Sequence, residues 1–193
     1  HLGIHHVKHY TTIPNVNLLG IYDPDVKRSN YVAIKYKTVA FKSLKKLIEN
    51  VDALSIVTPT SNHYKTAKLC IENKKHVFIE KPITVTLEEA NELLDLSKNN
   101  STIIQVGHIE RLNPALIALE PYYVNPKFIE IQRLAPYTSR GTDVPVVLDK
   151  MIHDIDILLS LVKSEVASLE ATGMSIITNS LDMAHARIQF KNG

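Results

Sequence analysis

The sequence predicts an α/β protein in two parts: a doubly wound parallel sheet, then an α/β domain with a large, mostly antiparallel open sheet. Three observations carry this. In the first half, short continuous apolar runs alternate with amphipathic helical stretches, the pattern of parallel strands covered on both faces by helices. Each run stops abruptly at a turn or a charged group. In the second half, strands follow one another without helices between them, which suits antiparallel pairing. The change falls near Asn125, so the parallel-sheet domain is expected over 1–124 and the second domain begins over 125–193.

The elements follow in order. An opening helix carries His5, His6 and His9, expected at the surface. The run at 16–22 (VNLLGIY) stops at Asp23-Pro24. The run at 53–57 (ALSIV) stops at Thr58-Pro59, the run at 77–79 at Glu80-Lys81-Pro82, and the run at 102–106 (TIIQV) at Gly107. Helices are expected over 43–50, 62–72 and 87–98. A helical stretch near 114–123, a strand over 127–134 and a polar loop over 135–144 come next. One strongly apolar helix over 146–162 precedes two strands near 168–177 and 184–190. The chain opens at His1 without Met and ends with a strand running into a turn. Further sequence is therefore expected at both ends, including the first strand of the parallel sheet.

Composition narrows the function. Of 193 residues, 45% are hydrophobic and 22% charged, which sets the chain among globular proteins rather than disordered ones. No apolar run approaches the roughly 18 residues of a membrane helix, and no signal-peptide pattern is present. The net charge of +2 is scattered, which gives no nucleic-acid footprint. The single Cys70 excludes an internal disulfide and a Cys-cluster zinc site, and it reads as a small buried apolar residue. A cytoplasmic enzyme or binding protein fits all of this.

In open α/β sheets, ligands bind beyond the carboxyl ends of the strands. Those ends here carry Asp23, Thr58-Pro59-Thr60, Glu80-Lys81-Pro82 and Gly107-His108. Asp23 reads in two ways, as an acceptor for adenosine ribose hydroxyls or as a turn former before Pro24. Gly3 fits the last glycine of a G-x-G-x-x-G turn. Lys81, a compact charge with three donors, can hold a substrate hydroxyl and stabilise a developing alkoxide. The alternative is a strand-end salt bridge from Glu80 to a neighbour. Pro82 fixes the chain's exit and allows a cis Lys81–Pro82 bond. His63, after Ser61-Asn62, either lines the cofactor crevice or belongs to the cap turn. Asp149 and His153 lie four apart on one helix and share a face. His153 suits a general base. A satisfied structural His–Asp pair and a metal site are the alternatives.

This combination resembles the Gfo/Idh/MocA family of nicotinamide-dependent oxidoreductases. The resemblance runs over essentially the whole chain. It rests on His1-Leu2-Gly3, Asp23, Thr58-Pro59-Thr60-Ser61-Asn62-His63, Glu80-Lys81-Pro82 and the segment DKMIHDID at 149–156, where Met151 stands for the family's usual glycine. It implies a Rossmann-like domain, then an α/β domain whose sheet serves for substrate binding and for a homodimer or homotetramer. It implies NAD as cofactor, with NADP open because Lys27 and Arg28 lie near Asp23. Cofactor contacts would come from Gly3, Asp23, Thr58, Pro59, Thr60, Asn62, His63, Glu80 and Lys81. The implied reaction is hydride transfer at a ring hydroxyl of a sugar, cyclitol or nucleotide sugar. Lys81 would bind the hydroxyl, His153 take its proton, and Asp149 orient the substrate or His153. The stretch 107–114 (GHIERLNP) and residues 133–143 resemble a branch of UDP-sugar 3-dehydrogenases of lipopolysaccharide synthesis. That branch implies substrate contacts at His108, Arg111 and Asn113, with Arg111, Arg133 and Arg140 toward a pyrophosphate. The competing readings are a non-catalytic dinucleotide-binding regulator, in which Lys81, Asp149 and His153 need not converge, and a metal-dependent lyase or hydrolase.

Overall fold

The computed structural model describes residues 2–122, 125–136 and 144–193. The chain divides into two compact units, His1–Val106 and Gly107–Gly193. The units meet at Val106/Gly107, whereas the change of sequence character falls near Asn125.

In the first unit, α1 (Gly3–Tyr10), β1 (Gly20–Ile21), α2 (Val26–Tyr36), β2 (Val39–Ala40), α3 (Leu44–Asn50), β3 (Ala53–Ile56), α4 (His63–Glu72), β4 (His76–Ile79), α5 (Leu87–Asn100) and β5 (Ile104–Val106) alternate. Every strand pair is parallel: β1 with β2, and β3–β4–β5 with Ile56 opposite Ile79 and Ile79 opposite Val106. This is the expected α/β alternation. The core lies where α4 and α5 cover the three-stranded sheet, with Ala67, Cys70, Ile71, Ile79 and Leu93 fully buried. Burial pushes the Cys70 thiol up to about 12, so it is an inert core group as expected. Side chains fix the helix starts: Asp25 caps α2, Ser43 caps α3, and Thr86 with Glu89 forms a capping box on α5. The strand expected over 16–22 shortens to Gly20–Ile21, and α2 with β2 was not anticipated.

In the second unit, a short 3₁₀ turn at Ile109–Leu112 leads into α6 (Pro114–Ile117). A π-helical turn at Val147–Met151 runs into α7 (Ile152–Leu161), and β6 (Val166–Met174) pairs antiparallel with β7 (Met183–Phe190). The antiparallel expectation holds for this pair. Two expectations are corrected. Residues 127–134 form no strand among the described residues, and Phe128 and Leu134 are strongly exposed. Their alternation suits a strand, but a strand needs a ladder partner to exist. The single helix expected over 146–162 divides into the π-helical turn and α7, and Asp156 is the one buried residue of α7. No helix among the described residues is long and apolar enough to cross a membrane.

Candidate active site

The two chain segments leaving β3 and β4 form the centre of the first unit's site. After Ile56 the chain turns at Thr58-Pro59, both exposed, into a 3₁₀ turn at Thr60–Asn62 closed by the Asn62 N–H donating to the Pro59 carbonyl (2.9 Å). Thr60 is buried and Asn62 exposed. After Ile79 come Glu80, Lys81 and Pro82, all at least half-buried, and the Lys81–Pro82 bond is cis as anticipated. The His63 ring, 1% exposed, joins the two turns. Its Nδ1 lies 2.8 Å from the Pro82 carbonyl and its Nε2 2.9 Å from the Thr58 carbonyl. His63 is thus engaged by backbone on both sides of its ring.

Glu80 is held by a residue expected at the surface. His6 points inward from α1, with Nε2 2.9 Å from Glu80 Oε1 and its ring edge-on to Phe78. One turn on, Tyr10 reaches Ser55 Oγ (2.6 Å). The i, i+4 spacing of His6 and Tyr10 was the available signal that this face of α1 looks onto the sheet. Burial alone would raise the Glu80 carboxyl. The hydrogen bond and charge of His6, with the Lys81 amide (3.3 Å) and ammonium, outweigh it and hold Glu80 below the usual carboxylate range. The strand-end pairing of Glu80 is therefore real, and its partner is His6.

A second part of this unit lies beyond β1 and β2. Asp23 Oδ1 accepts from the Asp25 N–H (2.9 Å), as a turn former does, and its Oδ2 stands 3.9 Å from Arg28 Nη1. Tyr22, Asp23, Pro24, Ser29, Phe41 and Lys42 line a cavity of about 190 Å³ at the carboxyl ends of both parallel strands. Ser29 is 3% exposed, and its Oγ is buried without a hydrogen-bond partner among the described residues. A carboxylate, an unsatisfied hydroxyl and two aromatic rings at a strand-end cavity fit the adenosine end of a dinucleotide. Gly3 opens α1, where an added Cβ would only touch Val57 at 4.0 Å.

The second unit brings most of the remaining residues together around α7. Asp149 sits in the π-helical turn, with Lys150 Nζ 3.3 Å from its Oδ2, and His153 follows in the first turn of α7; both are half-buried. A π turn inside a helix widens the local spacing and is frequent at functional sites. Arg111 meets Asp156 in a bidentate pair, Nε–Oδ2 2.6 Å and Nη2–Oδ1 2.5 Å, with His108 Nδ1 3.8 Å from the same carboxylate. Arg133 meets Asp154 the same way, at 2.7–3.0 Å. The hydrogen bonds they donate to these carboxylates hold both guanidinium groups above their already high ordinary value. Asn113 caps α6 through the Ala115 N–H (3.0 Å). Arg140 lies outside the described residues. The pairing of Asp154 and Asp156 with distant arginines was not read from the sequence.

A profile of the Gfo/Idh/MocA oxidoreductase family, with its NAD-binding Rossmann fold, matches residues 2–108. The chain is 37% identical over 194 residues to UDP-N-acetylglucosamine 3-dehydrogenase of Acidithiobacillus ferrooxidans, covering all of this chain and 61% of that one. A solved structure of that dehydrogenase superposes with a TM-score of 0.92 at 36% identity, over 100% of this chain and 63% of that one. The chain is also 30% identical to scyllo-inositol 2-dehydrogenase (NAD(+)) of Bacillus subtilis, over 100% of this chain and 62% of the relative. It thus spans less than two thirds of the relatives it matches.

Proposed function

Because this chain belongs to the Gfo/Idh/MocA oxidoreductase family, we propose that it carries the cofactor domain and part of the substrate domain of a nucleotide-sugar dehydrogenase. The substrate class is UDP-N-acetylglucosamine or a close analogue, oxidised at the 3-hydroxyl. The observation that carries this is the 37% identity to a UDP-N-acetylglucosamine 3-dehydrogenase across the whole chain. NAD is the cofactor, with Asp23, Ser29 and the Thr58–Asn62 turn toward it. Bound there, the nicotinamide would accept the hydride that leaves the carbinol carbon.

The chain's own residues supply the rest. Lys81 binds the reacting hydroxyl and stabilises the alkoxide as the O–H bond breaks. His153 takes that proton as general base, and Asp149 orients His153 or the sugar. The carbinol carbon becomes a ketone, so atoms and charge balance. The whole protein is a cytoplasmic homo-oligomer in this reading.

The test uses the full-length protein, NAD and a panel of nucleotide sugars, cyclitols and free sugars, read by absorbance of the reduced cofactor. Turnover is expected with UDP-N-acetylglucosamine. Lys81→Met is expected to lower kcat by about a thousandfold or more while NADH still binds. Retained turnover in that variant would remove Lys81 from the chemistry. Absence of turnover with the whole panel would leave a dinucleotide-binding regulator as the better account.

A further inference from the structure

We propose that His63 is a positioning residue that ties the reacting turn to the cofactor turn, so that Lys81 and Thr58 are held by one buried imidazole. This rests on the dehydrogenase reading for its kinetic consequence but not for its structural one. The sheet ladder carries as far as the Glu80 N–H donating to the Ile56 carbonyl (3.1 Å). Past it both chains leave the sheet toward the ligand edge. There His63, 1% exposed, stands between them with Nδ1 2.8 Å from the Pro82 carbonyl and Nε2 2.9 Å from the Thr58 carbonyl.

The ring cannot act by touching a ligand, because it is buried and both nitrogens face backbone. It acts on what flanks it. Pro82 follows Lys81 directly, so fixing the Pro82 carbonyl fixes the path of the Lys81 backbone. Thr58 begins the turn that His63 itself closes. A neutral imidazole donates to one of these carbonyls, and a ring with both nitrogens protonated donates to both. A carbonyl left buried without a donor costs enough to let its turn shift, and small misplacements at a reacting centre cost rate steeply.

Three substitutions in the full-length protein separate this from plain core filling. His63→Phe keeps the bulk and removes the ring donor to either carbonyl. His63→Asn keeps a side-chain N–H near the Nδ1 position, toward Pro82. His63→Gln keeps one near the Nε2 position, toward Thr58. His63→Phe is expected to lower kcat about ten- to a hundredfold. His63→Asn should recover kcat while NADH binding stays weakened, and His63→Gln should show the opposite split. Amide hydrogen exchange over residues 57–62 and 80–86 reads the same geometry without turnover. His63→Phe should speed both segments roughly tenfold, His63→Asn chiefly the first and His63→Gln chiefly the second. Wild-type exchange in both segments of a folded His63→Phe protein overturns the proposal. If the exchange pattern holds and the wild type turns over no sugar, the proposed function fails and the positioning role stands.

Discussion

Arg111→Met tests whether the Arg111–Asp156 pair is first of all structural. The Asp156 side chain is 8% exposed and takes both of its carboxylate oxygens into bonds with Arg111 at 2.5–2.6 Å. Truncating the arginine leaves a buried carboxylate with His108 Nδ1 at 3.8 Å beside it. Breaking a fully buried pair costs about 3–5 kcal/mol. The Arg111 side chain is 55% exposed, so water reaches the vacated oxygens and the loss falls to about 2–3 kcal/mol. For a chain of this size that is a Tm drop of roughly 4–12 °C. Calorimetry of Arg111→Met, Asp156→Asn and the double variant measures it. The double variant should be more stable than the two single losses summed, with a coupling of about 1.5–3 kcal/mol. An unchanged Tm in Arg111→Met, together with a KM for UDP-N-acetylglucosamine raised about tenfold or more, refutes the structural role and makes Arg111 a substrate contact first.

Gly20→Ala should cost about 1–3 kcal/mol in urea denaturation, because its new Cβ would lie 2.6 Å from the Val39 carbonyl of the paired strand and against the Phe41 ring; a change within about 0.5 kcal/mol contradicts this. Asp182 accepts from the Ile176, Ile177 and Thr178 N–H groups at 2.7–2.9 Å, and these bonds hold its carboxyl far below the usual range. A carboxyl depressed in the folded state contributes stability above its unfolded value near pH 4 and loses it as pH falls through the folded one. Amide exchange at Ile176–Thr178 should therefore quicken at neutral pH in Asp182→Asn and only in strong acid in the wild type. Equal protection in both at pH 7 would count against the loop's dependence on the ionised carboxyl.

The strands at 53–57, 77–79 and 102–106 were legible because each is a continuous apolar run cut by a turn. Helix α2 was not, and its burial says why. Its inward residues are Ser29, Val32 and Ala33, while Val26, Tyr31 and Ile34 are strongly exposed. Val32 is the one large apolar side chain buried on this helix, and three others point to solvent, so the apolar pattern does not mark the buried face. Strand β2, at two residues, is too short to give any periodicity. The strand expected at 127–134 failed in the other direction, since alternation is a property of the segment and pairing is not. At the site, Lys81 and Glu80 stood out because charges at the end of an apolar strand are unusual. The i, i+4 spacing of His6 and Tyr10 marks the inward face of α1, but the partners themselves, Glu80 for His6 and the Thr58 and Pro82 carbonyls for His63, are set by the fold and not by local spacing.

The segment DKMIHDID shows where spacing alone stops being informative. It offers three carboxylates and one imidazole within eight residues, and any of the acids can be written beside His153. Long-range partners separate them. Asp154 is committed to Arg133, which anchors the 125–136 stretch, and Asp156 to Arg111, which anchors the 3₁₀ turn at Ile109–Leu112. Asp149 meets Lys150, its own neighbour, in the widened π turn. Two of the three acids therefore serve to fasten loops to α7. His153 and Asp156 lie three apart and share a face of α7. The Arg111 guanidinium is thus held one turn beyond His153, with its charge matched by Asp156.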